Sequence, residues 1–150
     1  IREVVKEKNI HTLWFEAHYM YRHQLAKFAE QFDGVEVKFR CGVESFDGEL
    51  RERWKKGIAA SVTAEEVAKY FQGVCLLCCT EGDSKERILR DIALAEQYFE
   101  YASVNVFCEN TTAIKRDDEL AKWFVEEIYP NVKESNKIEI LINNTDLGVG

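Results

Sequence analysis

The chain has 150 residues, enough for one domain with a sizeable core, and its 46% hydrophobic and 12% aromatic content excludes disorder. A formal net charge of -7 with no basic stripe argues against a nucleic-acid or anionic-membrane surface. The longest uncharged runs are far too short to cross a bilayer, and no secretory signal is visible.

Residues Ile1 to Lys8 carry Val4 and Val5 among charges and read as the tail of a helix. His11 to His18 alternate, with Leu13, Phe15 and Ala17 against Trp14, Glu16 and His18, which predicts a strand. From Tyr21 to Phe32 the apolar positions Leu25, Phe28, Ala29 and Phe32 recur at helical spacing, and Asp33-Gly34 ends that helix. A strand is expected from Val35, then short helices at Gly48 to Lys56, closed by Gly57, and after the Thr63/Glu66 capping pair. Gly73 to Thr80 is an unbroken apolar run, the signature of a strand buried on both faces. Ser84 caps the longest helix, striped by Ile88, Ile92, Ala95 and Phe99. Ala102 to Thr111 alternate again, Asp117-Asp118 open a helix that Pro130 is expected to end, and Lys137 to Asn143 form a last strand before the tail.

Strands alternating with helices over residues 1–150 imply a single α/β domain with a parallel sheet and right-handed crossovers, either doubly wound or part of a barrel. Three strands place polar groups near their carboxyl ends: Glu16 and His18, Arg40 and Glu44, Asn105 and Glu109. A barrel mouth collects such groups, so the expected fold is part of an open TIM-like (β/α) barrel, with about five mostly parallel strands and flanking helices. The five cysteines, Cys41, Cys75, Cys78, Cys79 and Cys108, all fall in apolar strand-like runs and read as buried reduced thiols of a cytoplasmic protein. Cys75 and Cys78 have a redox or zinc spacing, but the residues between them are Leu76 and Leu77 in a strand rather than a turn. The chain opens inside a helix-like pattern, holds Met20 as its one methionine and stops on Gly-Val-Gly, the pattern of an excerpt.

The stretch Val35 to Ile58 organises the rest. Val37, Phe39, Cys41 and Val43 face one way and Lys38, Arg40, Gly42 and Glu44 the other, so in a covered strand the charges line a cavity, and in an edge strand they meet water. Arg40 and Glu44 lie four residues apart on one face, about 13 Å. They suit the two ends of a zwitterion, or else each is paired with a charge on the next strand.

Phe39-Arg40-Cys41-Gly42-Val43-Glu44-Ser45-Phe46-Asp47, followed by Leu50, Arg51, Lys56, Gly57 and Ile58, resembles the Gly-Ile/Val-Glu-Ser … Lys-Gly-Ile segment of radical S-adenosylmethionine (radical SAM) enzymes. There it spans the fourth strand of a partial six-stranded (β/α) barrel and the next helix; in order of elements the resemblance covers roughly Ile1 to Thr111. It implies that Glu44 and Ser45 contact the amino-acid or ribose part of S-adenosylmethionine and that Arg40 helps hold its carboxylate, beside Gly42. It also implies that Val74 to Leu77, Leu76 among them, packs near adenine, that Asn105 to Phe107 reads the base, and that Glu16, His18 and Glu109 meet substrate. The family's Cys-x-x-x-Cys-x-x-Cys loop, which binds a four-iron four-sulfur (4Fe–4S) cluster, is not found: Cys75 and Cys79 have its first spacing, but position 82 is Gly. The resemblance thus implies the back portion of a radical enzyme's core, from the third strand on, with the cluster motif upstream and with no cleavage by this portion alone.

Its partners would be the missing part of the same core, a small-molecule or peptide substrate, and a second copy paired along the exposed sheet edge at His11 to His18. Two other readings stay open: a non-catalytic nucleotide- or small-molecule-binding α/β module, and a barrel hydrolase or aldolase using Glu16, His18, Glu44 and Glu109 for acid-base work.

Overall fold

The computed structural model describes residues 1–143, and the tail at 144–150 lies outside the described residues. Five strands form one sheet: β1 (Thr12–Glu16), β2 (Glu36–Glu44), β3 (Gly73–Cys78), β4 (Tyr101–Val106) and β5 (Ile138–Leu141). They pair in sequence order and every pairing is parallel, which makes a curled half-barrel with flanking helices, as the alternation of elements implies.

Between the strands lie α1 (Arg2–Glu7) before β1, a 3₁₀ turn (Tyr19–Gln24) with α2 (Leu25–Ala29), then α3 (Gly48–Arg53), α4 (Ala64–Ala68) and α5 (Lys85–Tyr98). After β4 come α6 (Asp118–Trp123), a π-helical turn (Phe124–Ile128) and α7 (Tyr129–Val132). The expected caps form: Thr63 accepts from the Glu66 amide, Ser84 from that of Arg87 and Asp117 from that of Leu120. Pro130 does not end the last helix as expected. It sits in the first turn of α7, after the π turn, where its missing N–H and its bulk are absorbed and the helix runs on to Val132.

Helix-facing strand residues make the core: Phe39, Cys41 and Val43 from β2, Val74, Leu76 and Cys78 from β3, Ala102, Val104 and Val106 from β4. Ile88, Ile92 and Ala95 of α5, with Phe99 just past its end, close over them, the stripe read from the sequence. Four of the five free cysteines are buried and Cys108 is half-buried; Cys75 and Cys78 lie three residues apart on a strand, on opposite faces. Burial pushes the Cys41 thiol up to about 12 and that of Cys75 to about 11, so both are protonated at neutral pH. No helix among the described residues is long and apolar enough to cross a membrane.

The opposite face of the sheet has side chains of another kind. At its amino end Trp14 reaches across to Tyr101, ring centroids 5.7 Å apart, passing over Gly73. A Cβ at Gly73 would lie 3.0 Å from both the Trp14 ring and the Tyr101 carbonyl oxygen, so this aromatic floor needs a glycine beneath it. Lys38 pairs with Glu100 at 2.5 Å and with Glu36 at 3.5 Å at the same end.

Candidate functional site

At the carboxyl end of this face, β2 breaks its pairing. Gly42 stands opposite Cys75, but Glu44 stands opposite Leu76, so two residues of β2 face one of β3. A bulge of this kind re-aims the side chain that follows it. Glu44 takes φ +63, a left-handed conformation that costs a residue other than glycine about 1–3 kcal/mol and that the surroundings must hold in place.

The loop after α3 does much of that holding. Lys56 Nζ donates to Glu44 Oε1 at 2.8 Å, with both side chains about one-fifth exposed. His18 fixes the backbone at Lys56: its Nδ1 accepts from the Met20 amide at 3.2 Å, which leaves Nε2 as the donor to the Lys56 carbonyl at 2.7 Å. Arg51 is fully buried and donates to the carbonyl oxygens of Ala59, Ala60 and Val62 at 2.7–3.1 Å, securing the rest of the loop. Gly48 lets that loop come close. A Cβ there would sit 2.6 Å from the Ala60 carbonyl oxygen and 2.7 Å from its Cα, and neither backbone atom can swing aside. Gly48→Ala is therefore expected to destabilise the protein by about 1–3 kcal/mol, read as a lower urea midpoint at unchanged slope. An unshifted midpoint would show that the Arg51 loop is not packed this tightly.

Two adjoining hollows result. The first, about 210 Å³, is lined by Glu16, Ala17, His18, Gly42 and Lys56. Here the carboxylates of Glu16 and Glu44 each come within 3.6 Å of the point where a Cβ on Gly42 would stand. The second, about 170 Å³, is an apolar slot between Trp54, Leu77, Phe107 and Ile114, with Asn110 and Thr112 on its rim and Glu44 and Lys56 at the junction with the first. Its far wall is a strap running from β4 back to β3. The Phe107 amide donates to the Cys78 carbonyl at 2.9 Å, and the Asp117 amide donates to the Cys79 carbonyl at 2.9 Å.

Arg40 and Glu44 share this face, as the alternation predicts, yet each has its own counter-charge. Arg40 Nε lies 3.2 Å from Glu16 on the neighbouring strand, while Glu44 is paired with Lys56. Glu16, His18, Gly42, Glu44 and Phe107 line the hollows, and Arg40 borders them through Glu16. Four other expected residues line neither hollow. Ser45 is fully buried, and its hydroxyl accepts from the Asp47 amide at 2.9 Å and bonds to Asp91. Leu76 is turned into the helix-side core, leaving Leu77 as the residue in the slot. Asn105 is buried, donating to the Leu76 carbonyl at 3.2 Å. Glu109 is exposed beyond the strand end and lines neither hollow.

Lys56, Trp54 and Leu77 stand outside the expected set. Lys56 has a signal, since it precedes Gly57-Ile58 in the segment that carries the resemblance; Leu77 takes its face from the register that sets Cys75 opposite Gly42, which the sequence does not reveal. Among the described residues no group of three or more His, Cys, Asp or Glu side chains is placed to hold a metal ion, so these residues do not fit an iron–sulfur cluster.

No family description and no curated protein matches the chain. Among solved structures, queuine lyase from Clostridium spiroforme, bound to SAM and queuine, matches with a TM-score of 0.88 and 36% sequence identity over 99% of this chain. This likeness bears out the resemblance to the radical SAM enzymes. The chain spans 64% of the length of that lyase. The match extends over 99% of this chain rather than over the Gly42-Val43-Glu44-Ser45 segment alone.

Proposed function

We propose that S-adenosylmethionine binds in the apolar slot and on the Glu44–Lys56 pair at its junction with the polar hollow, leaving the Glu16 side of that hollow to the substrate, and that the enzyme this chain serves acts on queuine or a base of its kind. The observation that carries the reading is the Glu44–Lys56 pair, held by a strained backbone and a pinned loop at the junction of a polar hollow and an apolar slot. S-adenosylmethionine presents an ammonium and a carboxylate at one end and a flat purine at the other. Glu44 would take the ammonium and Lys56 the carboxylate, while Trp54, Leu77 and Phe107 would face the purine. Lys56 thereby takes the role the resemblance gives to Arg40, which is engaged with Glu16.

When bound beside a reduced iron–sulfur cluster, S-adenosylmethionine supplies the family's radical chemistry; these residues bind and orient it and keep water from the slot. The cluster's ligands are not among the residues described. Support for the substrate comes from the queuine-bound lyase, 36% identical across this chain. The hydrolase reading is disfavoured, because both nitrogens of His18 are occupied and Glu109 lines neither hollow.

Calorimetric titration of the intact protein with S-adenosylmethionine is expected to show saturable binding that Glu44→Gln and Lys56→Met each weaken at least ~10-fold. Binding that ignores both substitutions would refute the placement. No binding by the unsubstituted protein would refute the reading itself.

A further inference from the structure

We propose that Glu16 selects the substrate by accepting N–H donors of a nitrogenous base on its Oε1 atom, an inference that rests on the function proposed above. Glu16 is unlike the other acids of the inner face. Glu44 is spent on Lys56, Glu36 and Glu100 on Lys38, and Glu139 accepts from the Tyr101 hydroxyl. The Glu16 side chain keeps 55% of its surface open. Its two oxygens differ: Oε2 meets Arg40 Nε at 3.2 Å and the Cys75 thiol at 3.7 Å, while Oε1 turns to the space over Gly42.

The carboxylate is also held from behind. Arg40 is hydrogen-bonded to the Tyr101 side chain, Tyr101 donates to Glu139, and Trp14 packs on Tyr101. This chain of contacts draws on β1, β2, β4 and β5, and Cys75 adds a contact from β3. A half-exposed ion pair such as Glu16–Arg40 adds little to stability, so its stiffness serves position rather than folding. Cys75 stays a thiol at neutral pH and donates, which keeps Glu16 an acceptor with a fixed direction.

A fixed acceptor discriminates by rejection as well as attraction. An N–H group placed on Oε1 gains a charge-assisted bond, whereas a carbonyl or an unprotonated ring nitrogen there would leave two acceptors facing each other. A 7-deazaguanine ring offers N–H donors at N1 and its 2-amino group, and queuine carries a secondary amine on its side chain as well. A ring of the adenine type offers a bare N1 in the same place.

The test is titration of the intact protein, saturated with S-adenosylmethionine, with queuine and separately with 7-deazaguanine. Glu16→Gln is expected to weaken queuine at least ~10-fold, weaken S-adenosylmethionine by a clearly smaller factor and keep the melting temperature, while Glu16→Asp, which keeps the charge, recovers part of the queuine loss. An equal loss for 7-deazaguanine assigns the contact to the ring edge; a loss for queuine alone assigns it to the amine. Unchanged queuine affinity in Glu16→Gln overturns the proposal, and so does an equal loss of S-adenosylmethionine, which would make Glu16 a cofactor residue. Unsubstituted protein that binds S-adenosylmethionine but not queuine overturns both this and the substrate assignment, leaving the cofactor reading intact.

Discussion

Arg87→Met is expected to lower stability by about 3–5 kcal/mol, the range found when one member of a buried ion cluster is removed. Arg87 is 6% exposed and lies between two carboxylates, Asp83 and Asp91, on which water has almost no hold. It pairs with Asp83, meets Asp91 Oδ2 at 2.8 Å and donates to the Leu77 carbonyl at 3.1 Å. The carboxylates pass the connection on: Asp91 accepts from the Phe46 amide at 3.2 Å and Asp83 from the Cys79 amide at 2.9 Å. The carboxyl ends of β2 and β3 are thus tied together immediately behind Glu44 and Leu77. A methionine keeps the bulk, removes the charge and leaves two buried anions facing each other.

The pH dependence of that loss tests its cause. Burial raises the Asp91 carboxyl above its ordinary value, with Arg87 and Ser45 pulling the other way without cancelling it. A carboxyl whose folded pKa is raised binds its proton more tightly in the folded state. Its contribution to stability is fully present below the unfolded pKa of about 4 and is lost as pH rises through the folded value. With Arg87 gone the folded value rises further, so the deficit of Arg87→Met should be largest near pH 7 and shrink towards pH 5. Urea titrations at the two pH values measure it. An equal deficit at both would mean that lost packing, not stranded charge, is the cause.

What was legible in the sequence follows the kind of force involved. Hydrophobic periodicity fixes which face of β2 and α5 is buried, so the parallel sheet, the inward charges at Arg40 and Glu44, and the caps at Thr63 and Ser84 could all be read from residue order. Gly73 to Cys78 is apolar on both faces and carries no parity, so nothing in it distinguishes Leu76 in the core from Leu77 in the slot. Ser45 lies one residue past a bulge that alternation alone cannot reveal. The cluster of Asp83, Arg87 and Asp91 looks like an ordinary exposed i, i+4 helix pattern until tertiary packing buries it. Lys56 reaches the site only because Arg51 anchors its loop and His18, 38 residues away, pins the Lys56 backbone.

Gly42→Ala should separate the ligand from the fold more cleanly than any charge substitution, with S-adenosylmethionine binding reduced at least ~30-fold and the melting temperature unchanged or higher. Gly42 is not among the glycines that adopt positive φ, so alanine fits its backbone without strain. The new methyl would lie 3.6 Å from Glu16 Oε1 and from Glu44 Oε1, an ordinary contact, in contrast to the backbone collision at Gly48. Exchanging glycine for alanine inside a strand favours folding by about 0.5–1 kcal/mol. The protein therefore has a stability reason to hold alanine here and holds glycine, which leaves the space itself as the reason. That space is the floor of the polar hollow, and overfilling a fitted site by one methyl costs about 1–3 kcal/mol, of which ~2 corresponds to a thirty-fold change in affinity. Calorimetry and thermal melts on one preparation give both quantities. Full affinity at full stability would show that the ligand does not lie over Gly42, and a large fall in melting temperature would assign the glycine to the fold.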